Sequence, residues 1–136
     1  MALFYADASA LVKLVRAEPE SEGLQTFVAG ADLVSCELAL TELPRAARRA
    51  AAADPHLPLD TLLERTGELL DAVALLPLDH GLLEAAGALT EPALRALDAI
   101  HLAAAIDLSP IDAFLTYDER QGAAARLAGL RTVRPA

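Results

Sequence analysis

The chain of 136 residues carries one cysteine, one methionine and no tryptophan. A single thiol, Cys36, excludes an intramolecular disulfide and any cysteine-based metal cluster. β-branched aliphatic residues are also sparse, with 6 Val and 3 Ile against 31 Ala and 27 Leu. That balance favours helix and argues against an all-β domain. No apolar run reaches the roughly 20 residues that span a bilayer, so no membrane partner is expected. The opening stretch MALFYADAS has no basic segment at its start and meets Asp7 early. A secretory leader is therefore not expected, and the expected compartment is the cytoplasm. Basic residues are few: 11 Lys and Arg against 20 Asp and Glu leave a net charge of −9. This counts against a nucleic-acid binder held by bulk charge. A cluster of metal-binding carboxylates produces the same excess, and two divalent cations would add +4, taking −9 to −5.

Hydrophobic residues make up 54% of the chain, which excludes disorder. The length suits a single domain, residues 1–136, large enough to build a core without staples. Residues 2–6 (ALFYA) form a short apolar run ending at Asp7, the pattern of a strand buried on both faces. Further strands are expected at 32–36, 72–78 and 113–117, with a short last one at 132–134. Helical patterns fall at 8–15, 20–29, 37–53, 59–70, from an Asp79 cap to about residue 89, 93–108 and 119–128. Pro44 lies inside the third of these, so that helix either bends there or begins near Leu43. Thr66 and Gly67 interrupt the fourth. Strands alternating with helices imply βαβ units: a three-layer α/β/α fold with a central parallel sheet of four to five short strands.

In such a sheet, sites form beyond the C-terminal ends of the strands. Asp7 stands just past the first strand and Asp118 just past the AFLTY strand. Both also suit capping of the helix that follows. Glu42 lies in the helix after the second strand. Asp98 interrupts an otherwise apolar helical stretch, where an isolated carboxylate is costly to bury without a partner. Four ionised carboxylates need a counter-charge. Mg²⁺ or Mn²⁺ supplies one, because these hard cations prefer oxygen ligands. An acidic cluster without His or Cys ligands points to phosphate chemistry more than to zinc peptide hydrolysis. Arg45 and Arg49 fall on the helical stripe of Glu42, and Lys13 follows Asp7; these are candidate contacts to flanking phosphates. His101, three residues after Asp98, borders an apolar stripe and reads as a hydrogen-bonded packing residue rather than a ligand. Cys36 reads as a small buried hydrophobe.

Asp7-Ala8-Ser9-Ala10-Leu11-Val12-Lys13 resembles the opening motif of PIN-domain nucleases. Leu97-Asp98-Ala99-Ile100-His101-Leu102-Ala103 and Thr116-Tyr117-Asp118 resemble the third and fourth acidic motifs of the VapC-type toxin branch of that family. Glu42 stands where the second acid is expected. The resemblance covers almost the whole chain, in order and with similar spacing. It implies a central parallel sheet flanked by helices and a Mg²⁺- or Mn²⁺-dependent endoribonuclease that leaves a 5′-phosphate and a 3′-hydroxyl. It implies Asp7, Glu42, Asp98 and Asp118 as the acidic site, with Asp7, Asp98 and Asp118 on the metal and Glu42 beside the attacking water. Ser9 and Thr116 become polar supports. The implied partners are an RNA substrate, a cognate VapB-like antitoxin and a second copy in a homodimer. A protein-interaction module with the same fold and a silent site is the alternative. A phosphatase or receiver-like domain fits less well, because the chain reads Asp-Ala-Ser at position 7 rather than D-x-D-x-[TV].

Overall fold

A computed structural model describes residues 1–136. Five strands form one sheet: β1 (Leu3–Ala6), β2 (Asp32–Cys36), β3 (Ala74–Leu76), β4 (Ala113–Leu115) and β5 (Thr132–Val133). All pairings are parallel, in the order β3-β2-β1-β4-β5. Seven helices connect and cover them: α1 (Ala8–Val15), α2 (Ser21–Val28), α3 (Ala39–Ala53), α4 (Leu59–Ala72), α5 (His80–Gly87), α6 (Ala96–Leu108) and α7 (Glu119–Leu127).

Alternate side chains of each strand enter opposite layers. Tyr5, Val34, Cys36 and Phe114 face one core, shared with α5, α6 and α7. Phe4, Ala6, Ala113 and Leu115 face the other, shared with α1, α2, α3 and α4. The strands are therefore buried on both faces and read as unbroken apolar runs. Tyr5 and Phe114 stack across β1 and β4 with ring centroids 5.5 Å apart. Such a pair adds about 0.5–1.5 kcal/mol beyond its buried area.

Three expectations are corrected in detail. α3 begins at Ala39 and runs through Pro44. The carbonyl that Pro44 leaves without a helical donor belongs to Leu40, a residue 50% exposed. α4 continues across Thr66 and Gly67, and the buried Thr66 hydroxyl is satisfied within it, donating to the Leu62 carbonyl at 2.7 Å. α6 starts at Ala96, not near residue 93, which places Asp98 in its first turn. Gly30 and Gly129 adopt φ of 76° and 89°, the left-handed geometry that closes α2 and α7 cheaply.

The strand order reverses direction between β1 and β4. Chain segments leaving β1 cross to β2 and β3 on one side; those leaving β3 return through α5 and α6 to β4 on the other. A crevice opens at such a switch point, beyond the carboxyl ends of the two strands.

Candidate active site

Ala6 of β1 pairs with Leu115 of β4. The next residues, Asp7 and Thr116, therefore emerge side by side at the switch point. Asp7 caps α1: its Oδ1 accepts from the Ala10 N–H at 3.2 Å. The Ser9 hydroxyl donates to the same oxygen at 2.6 Å, and the Thr116 hydroxyl donates to Oδ2, also at 2.6 Å. Asp7 is 4% exposed. Burial raises its pKa, while the Ser9 and Thr116 bonds pull it back down. The two hydroxyls are anchored in turn. Ser9 Oγ accepts from the Tyr117 N–H at 2.9 Å, and Thr116 Oγ1 accepts from the Asp118 N–H at 3.1 Å.

Asp118 caps α7, with Oδ1 accepting from the Gln121 N–H at 2.9 Å. It is exposed. Asp98 enters from the first turn of α6 and is half-buried. Burial raises its pKa first, and the neighbouring charges of Asp118 and Glu42 raise it further. Asp98, Asp118 and Glu42 are therefore close enough for their charges to interact, at an edge where helix N-termini favour negative charge. Glu42 enters from the first turn of α3. Its Oε1 lies 2.7 Å from His101 Nε2.

Hard carboxylate oxygens, mutual repulsion at Asp98 and the preformed hydroxyl cradle of Asp7 fit a divalent cation of the Mg²⁺ type. No group of three or more His, Cys, Asp or Glu side chains is gathered closely enough to hold a metal ion. Mg²⁺ keeps several waters and is ordinarily held by one or two carboxylates plus substrate phosphate, so it does not require three protein ligands gathered in advance.

Beside the acids runs an open groove of about 740 Å³, bounded by Ser9, Glu42 and Tyr117 and lined by Arg16, Arg45 and Arg49. Lys13 borders it too, but is already engaged. Its Nζ lies 3.1 Å from Glu18 and 2.8 Å from Glu20, and 4.8 Å from the centre of the Tyr117 ring.

The PIN domain family profile matches residues 4–127. Ribonuclease VapC47 of Mycobacterium tuberculosis is 37% identical over 139 residues, covering 98% of this chain and 97% of that protein. This chain belongs to the PIN-domain family, in its VapC branch. Ribonuclease VapC46 of the same species is 36% identical and covers 99% of both chains. Two solved structures share the fold. VapC20 of M. tuberculosis, described as a Sarcin-Ricin loop cleaving toxin, has a TM-score of 0.68 at 16% identity, covering 97% of this chain and 99% of its own. PAE2754 from Pyrobaculum aerophilum has a TM-score of 0.67 at 20% identity, covering 97% of this chain and 84% of its own. No helix of this PIN domain is long and apolar enough to cross a membrane.

Two polar residues behind the candidate site carry no sequence signal. Gln121 is fully buried, and its Nε2 donates to the Asp98 carbonyl at 3.0 Å, tying α7 to α6. The Tyr5 hydroxyl lies 2.9 Å from His101 Nδ1. His101 is 1% exposed and hydrogen-bonded, as its apolar stripe suggested, but its partner is a candidate site acid. Burial disfavours the imidazolium; the Cys36 and Glu42 contacts outweigh it and raise the pKa to about 10.

These shifts set a pH dependence. Asp7, Asp98 and His101 all have folded pKa values raised above their reference values. A raised group stabilises the fold below its unfolded pKa and loses that contribution as pH rises through the folded value. The windows open upward from 3.8 for the two aspartates and from 6.5 for the histidine. In a chelator, the melting temperature is expected to fall as pH rises from about 6.5 to about 8.5, inside the His101 window, and Mn²⁺ should flatten that slope. Thermal melts across that range check it, and a flat or rising metal-free profile contradicts it.

Proposed function

We infer that this chain is a ribonuclease toxin of a VapBC-type toxin–antitoxin module, hydrolysing RNA phosphodiester bonds with Mg²⁺ or Mn²⁺. The observation that supports this reading is the chain of bonds from Asp7 through the Thr116 hydroxyl to the Asp118 N–H at the β1/β4 switch point, with Asp98 half-buried and close enough to Asp118 for their charges to interact. Asp7, Asp98 and Asp118 would hold the ion. When bound, it would neutralise the acids, lower the pKa of a water and stabilise charge on the phosphate. Ser9 and Thr116 hold the Asp7 carboxylate in place. Glu42 orients the attacking water. The water oxygen bonds to phosphorus, the bond to the 3′-oxygen breaks, and the products are a 5′-phosphate and a 3′-hydroxyl.

Arg45 and Arg49 flank the groove as phosphate contacts. Lys13 reaches a phosphate only by releasing Glu18 and Glu20. The substrate is RNA and the partner a VapB-like antitoxin. The active unit is a homodimer of single-domain chains, 1–136, in the cytoplasm.

The test is cleavage of total cellular RNA by the purified chain with Mg²⁺, Mn²⁺ or EDTA, beside a D7N/D98N control, with 5′-phosphate ends mapped by sequencing. Discrete metal-dependent cuts missing from the control are expected. Folded, antitoxin-free protein that cuts nothing sinks the reading and favours a silent interaction module. Within the same assay, R45A/R49A should raise KM several-fold with little change in kcat. If both arginines meet phosphates of a single strand, its binding should lose about 1.4 from the salt slope, at roughly 0.7 per phosphate. An unchanged slope removes them from the RNA path.

A further inference from the structure

Glu42 on α3 and His101 on α6 are 59 residues apart in sequence, yet Oε1 and Nε2 are 2.7 Å apart. A carboxylate offers only acceptors, so Nε2 carries a proton and donates it. Nδ1 is held at the same time, 2.9 Å from the Tyr5 hydroxyl and 3.6 Å from Cys36 Sγ. The imidazole also packs edge-on against the Tyr5 ring, with centroids 5.9 Å apart. With the ring 1% exposed and both nitrogens engaged, it has no free lone pair to offer a metal and little room to turn. Glu42 is the reverse: a long side chain with several torsions, at the rim of a groove. The buried imidazole, held at both nitrogens, fixes the carboxylate at the groove rim.

We propose that His101 is a positioning residue that aims Glu42 into the acidic site, with Tyr5 and Cys36 aiming His101 in turn. The i, i+3 spacing of Asp98 and His101 stacks them one turn apart on α6. One helix thus supplies one acid directly and fixes a second through its histidine. Tyr5 and Cys36 belong to β1 and β2, so the chain of contacts ties the aim of Glu42 to the register of the central strands. The kinetic consequence rests on the ribonuclease reading above; the hydrogen bond itself does not.

The experiment compares H101L, H101Q, Y5F, E42A and H101L/E42A, with melting curves to establish folding. H101L is expected to lower kcat by about 10–100-fold with KM within a few-fold, the size of effect seen when an orienting partner is removed. H101Q, whose amide nitrogen can reach Glu42, should recover much of the loss. In the E42A background, H101L should cost nothing further, because the histidine acts only through Glu42. An equal loss from H101L with and without Glu42, or no loss at all, overturns the proposal. Y5F keeps the ring and gives an intermediate loss, so the test survives if H101L does not fold. Independently, imidazole ¹⁵N spectra should show a slowly exchanging Nε2 proton that shifts strongly in E42A. A signal unmoved by E42A overturns the proposal without any activity measurement. If the unaltered chain cuts no RNA while that signal does move, the ribonuclease reading fails and the His101–Glu42 link stands.

Discussion

Replacing Asp98 with Asn is expected to abolish RNA cleavage while leaving the melting temperature at or above that of the unaltered chain. Most substitutions at a half-buried position destabilise. This one removes a charge whose pKa is raised first by burial, then by Asp118 and Glu42. A raised carboxyl pKa means the folded chain prefers the neutral form, and asparagine is neutral at every pH. The loss of a favourable first-turn charge on α6 works the other way, by a few tenths to about 1 kcal/mol. Asp98 is partly exposed, so solvent also screens the relief. The expected net change is small and not downward. Activity should respond very differently. A ligand carboxylate lost from a metal site removes several kcal/mol of transition-state stabilisation, and each 1.4 kcal/mol is about tenfold. A drop of roughly 10²-fold or more in kcat/KM is therefore expected. Melting curves in chelator, Mn²⁺ titration by calorimetry and the cleavage assay check the three parts. A clear fall in metal-free melting temperature would mean that Asp98 is structural. Unchanged cleavage would remove it from the site.

The contrast explains which parts of the candidate site could be read from the chain alone. Asp98 is conspicuous because one carboxylate interrupts an apolar helical stretch, and periodicity makes such an intrusion visible. Asp7 and Asp118 are legible because parallel strands deliver their C-terminal ends to one edge whatever their separation in sequence. β2 was readable to its ends, since DLVSC is bounded by Gly30 and by the turn before α3. The α3 path was not, because the effect of Pro44 depends on whether water can serve the Leu40 carbonyl, and exposure belongs to tertiary structure. The aim of Glu42 was equally hidden. It is set by His101, which packing against Tyr5 and Cys36 holds in place. Lys13 follows Asp7 as a free cation would, yet Glu18 and Glu20 in the loop before α2 fold back onto it. Gln121 is a buried amide in the middle of an ordinary helix, and nothing in its neighbours announces the Asp98 carbonyl it reaches. Elements and their edges follow from local pattern; the orientation of a polar side chain follows from partners far away in the chain.

Replacing Thr116 with Val should damage stability and activity together, the opposite of Asp98→Asn. Valine matches threonine in shape and removes only the hydroxyl. That hydroxyl donates to Asp7 Oδ2 at 2.6 Å and accepts from the Asp118 N–H at 3.1 Å. Both Asp7 and Thr116 are 4% exposed, so water does not readily replace either bond. A hydrogen bond to a buried charge contributes about 1.5–3 kcal/mol, and leaving its partner unsatisfied adds to the loss. A stability loss of about 2–3 kcal/mol follows, or roughly 6–12 °C for a chain of this size. The pH profile carries the more specific sign. Ser9 and Thr116 are the groups that pull the pKa of Asp7 down against burial. Without Thr116, burial wins by more, the acid pKa climbs, and the ionised form is reached at higher pH. The acid limb of the cleavage rate should move to higher pH, and Mn²⁺ affinity at fixed neutral pH should fall. Thr116→Ser keeps the hydroxyl and should restore the acid limb even where lost methyl packing leaves the melting temperature low. If Thr116→Val lowers stability but leaves the acid limb and Mn²⁺ affinity in place, the hydroxyl braces the strand end and does not tune Asp7.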